Sequence, residues 1–177
     1  MTGPDSARVL VACVGNLLRS DDGFGVAVAR ALDTLDLPPG TTMIETGIGG
    51  MGIVHELANG YDGLVIVDVV DVGRPPGSLF VLDPKVEDPA GMSGDAWQAT
   101  FSNFHLAEPS RVFLLARGLG VLPPWFALIG CQPADVETFG QELTPAVASA
   151  VPAAAAAVVA QVRRFALAAA GLDAASG

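Results

Sequence analysis

Four side chains in this sequence could share one piece of chemistry. Asp21 and Asp22 stand together in GNLLRSDDGFG, Asp68 interrupts the apolar run LVIVDVV, and His105 lies in SNFHLAEPS. A carboxylate inside an apolar run is costly to bury unless a countercharge or a metal faces it. Taken singly, each residue has an ordinary explanation. Asp21 or Asp22 could cap a helix beginning at Gly23, Asp68 could accept backbone amides at a strand end, and His105 could be a satisfied loop histidine. Taken together, two carboxylates on neighbouring strand ends would repel, and a cation removes the repulsion. Two carboxylate oxygens and one imidazole nitrogen, with coordination positions left open, suit a borderline divalent ion such as nickel, zinc or iron better than calcium or a structural zinc. The sequence reading therefore divides the aspartate pair, with Asp21 as the helix cap and Asp22 as the cation ligand alongside Asp68 and His105.

These residues need elements that bring them to one place. Short β-branched runs alternate with helical periodicity along the chain, the pattern of βαβ units. Strands are expected over residues 8–14, 42–46, 64–70, 78–82 and 125–130. Helices are expected over 23–35 (Phe24, Val28, Leu32 and Leu35 forming one face), 51–58, 106–117, and from an N-cap at Thr144 with Pro145 at the first helical position toward Leu172. The run at 64–70 is apolar on both faces, as a central parallel strand covered by helices requires. Residues 84–100 read as irregular. The expectation is an α/β fold of three layers, α/β/α, around a five-stranded, mainly parallel twisted sheet, in one domain over residues 1–177. In such a sheet, ligands bind beyond the carboxyl ends of the strands where strand order reverses, which is where Asp22 and Asp68 would fall.

Composition narrows the partners. Nine Lys and Arg oppose nineteen Asp and Glu, a formal net charge of −10, so a phosphate backbone is repelled and nucleic acid is not expected as a partner. Two cysteines, Cys13 and Cys131, sit in or beside apolar runs without a CxxC pairing and read as buried thiols in a reducing compartment. The N-terminus lacks the pattern of a signal peptide, and the longest apolar segment is alanine-rich and interrupted by Pro152. No membrane association and no obligate oligomer are expected, and the location read from these features is cytoplasmic. Other motifs are weaker. GIGGMG at 47–52 matches GxGxxG, but it does not follow the first strand and it opens a short helix, so a dinucleotide site is the lesser alternative. His55-Glu56 lacks the second histidine of a zinc peptidase helix, since Asn59 stands there.

VLVACVGNLLRSDDGFGVAVARAL, ETGIGGMG, LVIVDVVDVGRPPGSLFVL, His105 followed by a helix, and LIGCQPADVETFGQELTPAV, in that order over residues 8–147, resemble the hydrogenase maturation protease family. Its members are endopeptidases that remove the C-terminal extension from the large subunit of nickel-iron hydrogenases. The resemblance implies an aspartyl-type, metal-dependent peptidase of three-layer α/β fold, whose metal-contacting positions fall on Asp22, Asp68 and His105. It implies nickel already held by the cysteines of a hydrogenase large-subunit precursor, with no organic cofactor. Glu45, Gly47, Gly49 and Gly50 correspond to the family's substrate-recognition segment, where many relatives carry threonine at the position of Ile48. A module that docks on the nickel-loaded precursor without cutting it is the alternative.

Overall fold

The computed structural model describes residues 6–47, 49–95 and 109–171. Strand β1 (Val9–Val14) leads through a 3-10 turn (Ser20–Gly23) into α1 (Phe24–Leu32), then come β2 (Thr41–Gly47), α2 (Gly50–Leu57), β3 (Gly63–Val69), β4 (Leu79–Leu82), α3 (Pro109–Gly118), β5 (Trp125–Cys131) and α4 (Pro145–Ala169). The sheet runs in the order β2-β1-β3-β5-β4, and β4 pairs antiparallel with β5 while the other neighbours are parallel. This is the three-layer, mainly parallel architecture that the alternation of runs predicts.

Side-chain alternation along the buried strands builds two cores. Val9, Val11, Cys13, Val65, Val67 and Ile129 face α1 and α4. Leu10, Ala12, Leu64, Ile66 and Leu128 face α2 and α3. β1 and β3 are buried along nearly their whole length because helices cover both faces. Helix α4 has the length and composition to cross a membrane, but here it lays Val147, Ala154, Val158, Val162 and Phe165 on the sheet as a core helix. It continues through Pro152, which stands at an exposed position.

Two local expectations are corrected. Helix α1 ends at Leu32 rather than at residue 35, and Leu35 is exposed instead of lying on the core face. Thr34 turns its hydroxyl back to the Ala31 carbonyl at 2.7 Å, a bond that competes with helix continuation. Thr144 occupies the N-cap position of α4, but its side chain makes no cap bond. Its hydroxyl is committed to Asp21 instead. Residues 96–108 of the expected irregular segment and helix start, and His105 with them, lie outside the described residues.

Candidate active site at the switch point of the sheet

From β1 the chain moves to β2 on one side, and β3 then lies on the other side of β1, so strand order reverses between β1 and β3. The carboxyl ends of these two strands open into a crevice of about 480 Å³, lined by Asp22, Gly47, Asp68, Asp71, Ser110 and Leu128 among others. A ligand crevice is expected at this place in an open parallel sheet.

The loop after β1 is shaped to reach it. Gly15 lies so close to the 3-10 turn that a Cβ there would stand 2.2 Å from the Asp22 carbonyl oxygen, and the Asn16 amide donates to that same oxygen at 2.9 Å. Ser20 adopts a positive φ of 44°, a costly conformation for a residue other than glycine. The turn that follows sends adjacent aspartates to different places. Asp22 is half-buried on the crevice wall, whereas Asp21 is fully buried and reaches the loop before α4.

Asp21 is not the helix cap that its sequence neighbours suggest. No side chain caps the 3-10 turn or α1. One oxygen, Oδ2, accepts the Ala134 and Asp135 amides at 2.8 and 2.9 Å and the Thr144 hydroxyl at 3.0 Å, and Oδ1 accepts the Thr144 amide at 2.7 Å. The carboxylate thus ties the β1–α1 loop to the β5–α4 loop.

Asp22 and Asp68 have few such partners. Asp68 is 5% exposed, and the hydrogen bond to its side chain comes from the amide of Val69 at 2.8 Å. Burial, opposed by that bond and aided by the nearby Asp22 carboxylate, pushes its pKa up to about 8. Asp22 is also raised by burial, and the Arg19 guanidinium and the Asn16 amide partly oppose the shift. Arg19 itself is exposed, 3.7 Å from Glu137 and 5.6 Å from the centre of the Phe139 ring. A pair of like-charged groups with raised pKa values at a sheet switch point has the character of a functional site. Asp22 and Asp68 are two of the three residues expected to contact a metal, and no cluster of three or more potential ligands occurs among the described residues.

Among its described residues, the glycine-rich segment reaches the crevice at Gly47. Gly47, with φ +56°, lines it at the end of β2, where the pairing of β1 and β2 shifts register so that Cys13 faces Glu45 and Val14 faces Gly47. A bulge of this kind re-aims the chain beside a site. Glu45 is exposed and shares the strand face of Met43, which packs against the α1–α4 core. Its charge raises the pKa of Cys13 on that face, after burial and ahead of Asp33. Gly49 precedes α2 and Gly50 begins it, and neither is among the lining residues. GIGGMG follows the edge strand β2, one strand away from the reversal point.

Both cysteines are buried and free, and burial pushes their thiol pKa values up to about 12 for Cys13 and about 11 for Cys131. Thiolate nucleophilicity is suppressed at both.

Asp71 is the crevice residue that the sequence reading passed over. It is exposed, and its Oδ1 accepts from the side-chain amide of Gln132 at 2.9 Å and from the Gly73 amide at 3.1 Å. These bonds hold its pKa below the usual carboxylate value. The signal available in sequence was Asp71 two residues before Gly73, the spacing of an Asx turn.

Comparisons with known proteins identify the family to which this sequence and fold belong. The family model described as hydrogenase maturation protease matches residues 26–161. The hydrogenase expression/formation protein HupD of Rhizobium leguminosarum bv. viciae is 33% identical over 156 residues, covering 85% of this chain and 72% of that protein. The hydrogenase maturating endopeptidase HybD from E. coli has a similar structure, with a TM-score of 0.70 at 30% identity over 89% of this chain and 93% of that one. A hydrogenase 2 maturation peptidase from a Thaumarchaeota archaeon has a TM-score of 0.59 at 31% identity, covering 94% of this chain and 99% of its own. Agreement of this extent in both sequence and fold makes the chain a member of the hydrogenase maturation protease family, and so a peptidase.

Proposed function

We propose that this protein removes the C-terminal extension of a nickel-iron hydrogenase large-subunit precursor once nickel has been inserted. Asp22, Asp68 and His105 would contact the nickel carried by the precursor and set the scissile peptide beside them. The observation that carries this reading is the convergence of Asp22 and Asp68 on one crevice at the β1/β3 reversal, both with pKa values raised by burial. Leaving two carboxylates in that state is unfavourable for the free protein, and a cation brought by the substrate relieves it.

The metal belongs to the substrate in this account, so the protein's part is recognition and proton handling. Cation contact lowers the pKa of both carboxylates and ionises Asp68 as the precursor docks. An ionised carboxylate beside the peptide takes a proton from water, the resulting hydroxide attacks the scissile carbonyl, and the C–N bond breaks as the proton passes to the leaving amine. Gly47, which has no side chain at the crevice wall, leaves room for an extended backbone.

Intact-mass measurement of a precursor with and without bound nickel tests the reading. The expected result is loss of the C-terminal mass from the nickel-loaded precursor only. A stable complex of protein and nickel-loaded precursor with no mass change would instead establish the non-cleaving alternative.

A further inference from the structure

The third carboxylate of the crevice, Asp71, is held by a buried residue that also orders the loop carrying it. Gln132 follows β5 and is buried, 6% exposed. Its Oε1 accepts the amides of Val72 and Arg74 at 2.8 and 3.1 Å, and its Nε2 donates to Asp71 Oδ1. The main chain of Gln132 adds two more ties, accepting from the Gly77 amide at 2.8 Å and donating to the Ser78 carbonyl at 2.9 Å. One buried residue thereby fixes the β3–β4 loop, its side chain from residue 71 to 74 and its main chain at 77 and 78, and the group at the crevice end of that loop is the Asp71 carboxylate.

The bonds to Asp71 from Gln132 and Gly73 both fall on Oδ1, and among the described residues no donor reaches Oδ2. Unlike Asp22 and Asp68, Asp71 is stabilised in its ionised form. It therefore presents a fixed negative charge at the crevice rather than a group waiting for a metal. The groups on a peptide that such a carboxylate holds best are cationic side chains, because charge-assisted hydrogen bonds are the strong ones. The chain's formal net charge of −10 favours a basic partner in the same direction.

We infer that Asp71 binds a basic side chain of the precursor close to the scissile bond, and that Gln132 is the positioning residue that holds Asp71 in place for it. The inference rests on the processing reading above.

The test is steady-state processing of the nickel-loaded precursor, followed by intact mass at low and high ionic strength. Asp71→Asn keeps an acceptor for Gln132 and Gly73 and removes the charge. Its KM is expected to rise roughly tenfold with kcat within about twofold of wild type, and the salt dependence of KM to shrink. Gln132→Met is expected to raise KM by a similar factor, and the double variant to be no worse than Asp71→Asn alone, which loss of a merely structural contact would not produce. Replacing the precursor's Lys, Arg and His residues near the cut by Gln, one at a time, should reveal one position that raises KM for the wild type and not for Asp71→Asn. An active wild type and an Asp71→Asn variant with the same KM and salt dependence overturn the inference and leave the processing reading standing. A wild type that leaves the precursor intact overturns both.

Discussion

Asp21 and Asp68 are almost equally inaccessible, 0% and 5% exposed, yet their surroundings differ sharply. Asp21 accepts four hydrogen bonds from two residues of the β5–α4 loop and from Thr144. Asp68 has the amide of its own successor and a second carboxylate nearby. The first arrangement lets burial of a charge hold two loops together, and the second leaves a charge that the fold alone does not satisfy. Burial of a carboxylate is therefore not by itself a sign of function. The partners decide: those of Asp21 give it a structural role, and the lack of them at Asp22 and Asp68 is what the proposed function rests on.

That contrast can be broken by substitution. The largest effect is expected on activity, where Asp22→Ala and Asp68→Ala each lower precursor processing by roughly 1,000-fold or more, read as the rate of mass loss. Folding should survive both changes. Asp21→Ala is expected to do the reverse. It removes the acceptor of the part-buried Ala134, Asp135 and Thr144 amide bonds and should cost about 3 kcal/mol in chemical denaturation. If the folded fraction of Asp21→Ala is examined, its rate per folded molecule should stay within a few-fold of wild type.

A smaller and more diagnostic effect lies in pH. Between 3.8 and about 8 the folded protein retains a proton on Asp68 that the unfolded chain has released. Stability therefore falls as pH rises through that window, and Asp68 contributes against folding at neutral pH. Asp68→Asn should flatten this decline and gain about 2–3 kcal/mol at pH 8, with little change near pH 4. Denaturation midpoints at the two pH values check it, and parallel curves for wild type and variant would contradict it.

The smallest expected effect concerns Arg19. Its ion pair with Glu137 is exposed on both sides, so Arg19→Ala should change stability by less than about 1 kcal/mol. Its positive charge nevertheless favours the ionised form of Asp22. Removing it raises the Asp22 pKa further, and the acidic limb of the activity profile should move to higher pH. A profile that stays in place would show that Asp22 ionisation does not control the reaction.

Much of the architecture was legible because periodicity records burial directly. The run LVIVDVV announces a strand covered on both faces, and β3 is that strand. Asp22 and Asp68 were legible as a pair because like charges at neighbouring strand ends need an explanation whatever the fold's details. The role of Asp21 is not legible, because its partners lie 113 to 123 residues away in sequence whereas the helix start that suggests a cap lies immediately beside it. Leu35 was placed on a helix face by spacing alone, which carries no information on where Thr34 and the prolines beyond it end the helix. Asp71 is not legible because it stands among loop residues and its partner Gln132 lies 61 positions further on.

The central claim is that the carboxylates this fold leaves unsatisfied are those that process the precursor. Asp68→Asn tests it most directly, with stability at pH 8 and processing of the nickel-loaded precursor measured on the same preparation. The account predicts a protein that is more stable than wild type and leaves the precursor at its full mass. A variant that trims the precursor at the wild-type rate would contradict it.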